Sequence, residues 1–222
     1  MGRAPRVDVG NEVYHIVNRA NGRRSIFSTP DEYRHFEMLL KEAVEKFNMR
    51  LLAYVLMPNH WHLLVYPRGD GDLSLFMQWL TLTHTQQYHV WKKTTGHGHI
   101  YQGRYKSFLV EKDTYLVTVT KYIERNPVRA NLTRTVEAWR WGSGYRRLEG
   151  TRKEQSLLSD PPTDLPRNYR SWVNTPDKDE DLQQVRLSVN KSKPLGTMSW
   201  MERMVERFKL QGTLRGRGRP KA

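Results

Sequence analysis

Polar and apolar positions change period several times along the chain, and each change predicts an element. Residues 12–18, EVYHIVN, carry Val13, Tyr14, Ile16 and Val17 and predict a first strand. Ser28, Thr29 and Pro30 then supply helix-start chemistry. Phe36, Leu39, Leu40 and Val44 recur at the spacing of a helix face, predicting a helix that runs to about Phe47. Residues 50–57, RLLAYVLM, and 60–66, HWHLLVY, are two strands separated only by Pro58 and Asn59, the pattern of a hairpin. Asp72 opens a long amphipathic helix, LSLFMQWLTLTHTQQYHVWKK, which a Gly/His loop ends. A fourth strand is expected over 104–111, then a helix over 112–127 that stops at Pro127.

The resulting order is β-α-β-β-α-β-α. It predicts an α+β fold, a ferredoxin-like split βαβ arrangement around a central antiparallel sheet, with an added helix and a C-terminal extension. Three stretches differ in character: 1–150 as a folded domain, 151–190 as a linker or loosely packed extension, and 191–222 as a basic helix and tail. In the last stretch SWMERMVERFKLQGTL places Met201, Met204, Val205 and Phe208 on one side of a helix. That helix would either dock on the main domain or form a small DNA-binding unit.

Charge sharpens this division. The 222 residues carry a formal net charge of +14. Residues 1–150 contribute +8, 151–190 contribute −1 and 191–222 contribute +7. Two basic blocks point to a polyanionic partner, with nucleic acid ahead of an anionic membrane. The sequence contains neither a membrane-length apolar run nor a secretory signal, so membrane insertion is not expected, in keeping with a cytoplasmic location. Cysteine is absent. That removes disulfides and thiolate metal sites, and leaves imidazole, carboxylate, amide and water as possible ligands. Such a set suits Mg²⁺ or Mn²⁺, with Zn²⁺ as the alternative.

The chemistry concentrates at MPNHWHLLVYP. On a strand, His60 and His62 point to one face, ~7 Å apart along the chain, and Trp61 points to the other. Two imidazoles on one face can converge on an ion, although two do not complete a site. The predicted helix YLVTVTKYIERN offers Tyr115 and Tyr122, seven residues apart, and Asn126 one turn beyond Tyr122 on the same face. A phenol facing the histidines would attack phosphorus. His60, His62 and the Asn126 carbonyl oxygen would hold the divalent cation that polarises the scissile group. Tyr115 is the alternative nucleophile, and core packing is the competing account of its position.

These residues resemble a known family. His60-Trp61-His62 resembles the HUH motif, and Tyr122-Ile-Glu-Arg-Asn126-Pro127 resembles the tyrosine helix of the single-tyrosine HUH transposases. YHIVNRANGRRSIF, YVLMPNHWHLLV, YQGRYKSFLVE and YIERNPVRANL together resemble the REP-associated tyrosine transposases, over roughly residues 12 to 148, with a return in TLRGRGRPK. The resemblance implies an HUH endonuclease fold acting on single-stranded DNA near hairpins of repetitive extragenic palindromes. Cleavage would leave a 5′-phosphotyrosine link and a free 3′-OH, and rejoining would need no ATP. It assigns Tyr122 as nucleophile and His60, His62 and Asn126 as metal ligands. Many relatives carry Gln where this chain has the shorter Asn126.

Candidate DNA contacts are Arg19, Arg23 and Arg24 after the first strand, and Arg104 and Lys106 by the fourth. Arg215, Arg217 and Arg219 lie in a tail whose Arg-Gly-Arg-Pro resembles an AT-hook core. Trp139, Trp141 and Tyr145 would stack on bases or, more commonly for such a cluster, close the core. Two rival functions follow from the same residues: a non-catalytic DNA-binding protein on this fold, and a hydrolase using a metal held by His60 and His62. Monomer and homodimer remain equally open, as does a tyrosine helix acting in trans.

Overall fold

The computed structural model describes residues 6–96 and 98–214. Arg215, Arg217 and Arg219 therefore lie outside the described residues. The chain runs β1 (Val13–Arg19), α1 (Pro30–Lys46), β2 (Arg50–Met57), β3 (His60–Tyr66), α2 (Asp72–Lys92), β4 (Lys106–Val110) and α3 (Thr114–Glu124). Among the described residues, α4 (Asn126–Arg129), α5 (Ser143–Leu148), α6 (Arg152–Gln155), α7 (Tyr169–Asn174), α8 (Asp179–Lys191) and α9 (Met198–Arg207) follow. The four strands form one antiparallel sheet in the order β2-β3-β1-β4, which is the split βαβ arrangement.

Local chemistry explains the element ends. Pro30 opens α1, and the Glu32 carboxylate accepts the Thr29 backbone N–H at 3.1 Å, closing a capping box. Glu32 also pairs with Lys92 in the last turn of α2, tying the start of one helix to the end of the other. The hairpin turn is the expected Pro58-Asn59, with Met57 opposite His60. β4 begins at Lys106, two residues later than the pattern predicts, because residues 102–104 bend.

The final predicted helix departs further from expectation. Asp113 caps α3 by accepting the Tyr115 N–H at 2.8 Å, and α3 stops at Glu124. Pro127 does not end the helical path. It is the second residue of α4, where its missing N–H costs nothing. The break falls at Arg125 instead, because proline cannot continue the hydrogen-bond ladder of α3.

Both sheet faces are covered. Trp61, Tyr14, Ile16 and Leu63 pack under α1 and α2. Val13, Leu64, Phe108 and Val110 pack under α3 with Leu116, Val119 and Ile123. Both sheet edges are also covered. Leu56 N–H donates to Trp141 O at 2.9 Å beside β2, while Leu195 exchanges backbone hydrogen bonds with Leu109 and Glu111 beside β4. This protects the edge strands from pairing with another chain.

Residues 151–190, expected as a linker or loose extension, form α6, α7 and α8. Val173 and Val185 are fully buried, and α8 packs on α3 and β4. α9 docks on the main domain through Trp200, Met204 and Val205. Trp141 stacks on Tyr33 with ring centroids 4.8 Å apart, and Trp139 Nε1 donates to Leu56 O at 3.0 Å, so both close the core. Among the described residues, no helix is long and apolar enough to cross a membrane.

Candidate active site

Strand register brings the predicted residues to one face. Val17 of β1 lies opposite both His62 of β3 and Lys106 of β4, and Arg19 lies opposite His60. Residues opposite one another in a ladder share a face. His60, His62, Arg19 and Lys106 therefore all stand on the α3 side. Trp61 points the other way and is fully buried, its Nε1 donating to Tyr101 Oη at 3.1 Å.

α3 lays Tyr122 over this face. Its ring meets His62 edge-on at 6.0 Å and His15 at 6.1 Å between centroids. Tyr115, two turns earlier, has no ring contact with either motif histidine among the described residues. The Asn126 Nδ2 donates to Tyr122 O at 3.2 Å. Arg23 and Arg24 are exposed in the turn after β1. Arg104 lines a cleft of about 690 Å³ beside α2, with Asn18, Tyr101 and Tyr105, rather than the histidine face.

Three residues that sequence reasoning missed complete the surroundings. His15 is fully buried on β1, and its Nε2 lies 2.8 Å from His62 Nδ1. Arg129 of α4 sits 4.3 Å over the Tyr122 ring and donates to the Tyr122 carbonyl. Asp177, between α7 and α8, accepts from Arg129 Nη1 at 3.1 Å and from Arg125 Nε at 2.9 Å. The sequence hints only at His15, a polar residue inside an apolar strand. Nothing near Arg129 or Asp177 announces their pairing across nearly fifty residues.

The electrostatics follow from burial among cations. Burial pushes His60 down to about 4, with Arg19 adding to the effect. Burial likewise pushes His15 to about 3 and holds His62 well below its usual range, helped by His15 and His60. All three are neutral imidazoles at neutral pH. Burial raises the Tyr122 phenol, and Arg129, Arg186 and Arg19 pull it back. The phenol stays protonated in the free protein, with the Asp177 carboxylate also acting to hold it there.

The side chains fit a divalent cation chemically. Neutral imidazoles keep the lone pair that ligation needs. His60 Nδ1 lies 2.7 Å from Asn59 Oδ1, so it carries the proton and Nε2 is bare. Fixing one ring nitrogen by a hydrogen bond is how ligating histidines are oriented. Among the described residues, no group of three His, Asp or Glu side chains could hold an ion by itself. Asn126, phosphate oxygens or water would have to complete the set, as Mg²⁺ commonly requires.

The four-stranded antiparallel sheet with a tyrosine helix laid over an HxH strand is that of a transposase. The family model described as "Transposase IS200 like" matches residues 8–126, and the chain belongs to that family. It is similar to a REP-associated tyrosine transposase of Haemophilus influenzae, at 24% identity over 124 residues, spanning 52% of this chain and 70% of that protein. Its fold is similar to a solved REP-associated tyrosine transposase bound to a REP hairpin. The TM-score is 0.57 at 18% identity, covering 74% of this chain and 95% of that one.

Proposed function

We propose that this transposase cuts and rejoins single-stranded DNA beside hairpins through a covalent bond to Tyr122. The observation that carries the reading is the edge-on packing of Tyr122 against His62, within one chain. The Tyr122 Oη attacks the scissile phosphorus in line. A phosphorus–phenol bond forms as the bond to the 3′ oxygen breaks. The phenol gives up its proton and the departing 3′ oxygen gains one. The products are a 5′-phosphotyrosine and a free 3′-OH, and attack by another 3′-OH reverses the step.

A divalent ion, Mg²⁺ or Mn²⁺, held by His60, His62 and Asn126 would supply positive charge at the phosphate and lower the barrier to phenol ionisation. The chain's own residues do the rest. Arg129 lies over the phenol ring and opposes its raised pKa. Arg19 and Lys106, on the same face, would hold phosphates of the bound strand. The mostly enclosed tyrosine ring limits competing attack by water.

The test is a covalent-adduct assay with labelled hairpin DNA, Mn²⁺ and a denaturing gel. The wild type should form an ion-dependent adduct, and Tyr115→Phe should keep it. Tyr122→Phe should lose it while binding the hairpin normally, since Lys and Arg contacts to phosphate supply the affinity. Loss in Tyr115→Phe alone would move the nucleophile. Tight binding without adduct for every hairpin tried would favour a DNA-binding protein without strand chemistry.

A further inference from the structure

We infer that His15 is a positioning residue that fixes the tautomer of His62, so that His62 Nε2 faces the site as a bare lone pair. The inference rests on the ion site proposed above and adds a residue to it. His15 belongs to neither the HxH motif nor the tyrosine helix, and it has no access to substrate.

The geometry begins with β1. His15 stands between Val13 and Val17 on the same face, opposite Leu64 on one neighbour and Phe108 on the other. Every flanking position is apolar. A valine or leucine would satisfy that packing, so a fully buried imidazole needs another reason to be there. Its ring stacks on that of His62 with centroids 5.0 Å apart and an interplanar angle of 21°. Phe108 closes over it edge-on at 4.9 Å, and Tyr122 does so at 6.1 Å. Among the described residues, its polar contact is His15 Nε2 to His62 Nδ1, at 2.8 Å. His15 Nδ1 is enclosed and, among the described residues, has no hydrogen-bond partner.

One proton lies in that contact, and its owner decides what His62 can do. If His15 Nε2 holds it, His62 Nδ1 accepts, and the neutral His62 must carry its own proton on Nε2. That nitrogen then cannot ligate. If His62 Nδ1 holds the proton, His15 accepts it and His62 Nε2 is free. Ligation at Nε2 selects the second arrangement, and His15 is the acceptor that makes it available. An imidazole serves here where a carboxylate would bring an uncompensated charge into the interior. The enclosed His15 Nδ1–H is the cost of holding this tautomer.

The experiment measures Mn²⁺ binding directly, by the loss of the free-ion electron paramagnetic resonance signal. It uses the full chain, alone and with a hairpin lacking the scissile phosphate. The variants are His15→Leu, His15→Gln and His62→Ala. Wild type should bind and His62→Ala should not. His15→Leu should bind about 10–100-fold more weakly, with unchanged hairpin affinity. His15→Gln, whose amide oxygen can accept the His62 Nδ1–H, should recover most of the loss.

Wild-type affinity in His15→Leu would overturn the inference and make His15 a packing residue. A His15→Gln variant as weak as His15→Leu would overturn it too. Equal binding by wild type and His62→Ala would instead remove the ion site itself. Should His15→Leu fail to fold, long-range ¹H–¹⁵N NMR on the wild type with Mg²⁺ decides the matter. The proton should lie on His62 Nδ1, and finding it on Nε2 refutes the assignment.

Discussion

Replacing Asp177 by alanine should strand two guanidinium groups beside the tyrosine helix. The side chains of Asp177 and Arg125 are each 7% exposed, and that of Arg129 is 15% exposed. One carboxylate oxygen takes both arginines, at 2.9 and 3.1 Å. Each charge-assisted hydrogen bond is worth about 1.5–3 kcal/mol. Removing one partner of a buried ion pair costs roughly 3–5 kcal/mol, because the other charge is left unpaired. Two contacts survive: Arg125 still donates to Val173 O at 3.0 Å, and Arg129 still donates to Tyr122 O. The loss should therefore lie near the lower bound, about 3 kcal/mol. At about 2–4 °C per kcal/mol for a chain of this size, Tm should fall by roughly 6–12 °C. Thermal and urea unfolding followed by circular dichroism would measure it, and Asp177→Asn, a neutral acceptor, should fall between. A loss below about 1 kcal/mol would refute the argument that residues 151–190 clamp the junction of α3 and α4.

Two further perturbations test the packing and the buried histidines. Gly10→Ala should cost about 1–3 kcal/mol, because the added carbon would sit 2.4 Å from the Arg68 carbonyl oxygen, a backbone atom that cannot turn aside. Gly212→Ala, with open space around it, should be near neutral, and equal urea midpoints for the two variants would contradict this. His84, buried on α2 with Nδ1 2.6 Å from Tyr101 Oη, is pushed down to about 3 by burial. The unfolded chain takes up that proton near pH 6.5 and the folded one only near 3. Stability should therefore be full above pH 6.5 and decline as pH falls toward 3, by up to about 1.4 kcal/mol per pH unit from this group. His84→Gln should flatten the measured slope by that amount, and an unchanged slope would mean that His84 is not held neutral.

The sequence by itself determined the local frame. Alternation put His60 and His62 on one face and Trp61 on the other, since successive strand side chains point to opposite sides whatever surrounds them. Helical period put Asn126 one turn from Tyr122, and its side-chain amide donates to the Tyr122 carbonyl across the α3–α4 break. The order of elements sufficed for the split βαβ sheet. Tertiary structure decided the matters that depend on partners distant in the chain. Both tyrosines lie on α3, and only the docking of that helix on the sheet brings Tyr122, rather than Tyr115, to the histidines. The register of β1 against β3 joined His15 to His62, two residues with no local relation. Asp177 sits in a stretch that reads as a polar linker, and Trp139 and Trp141 read as core closure with base stacking as the alternative. The folded chain uses the first to pair Arg125 with Arg129 and the other two to cover Tyr33 and the β2 edge. Period follows from backbone geometry and is written in neighbouring residues. Register, docking and charge pairing follow from burial summed over the whole molecule, which no local stretch contains.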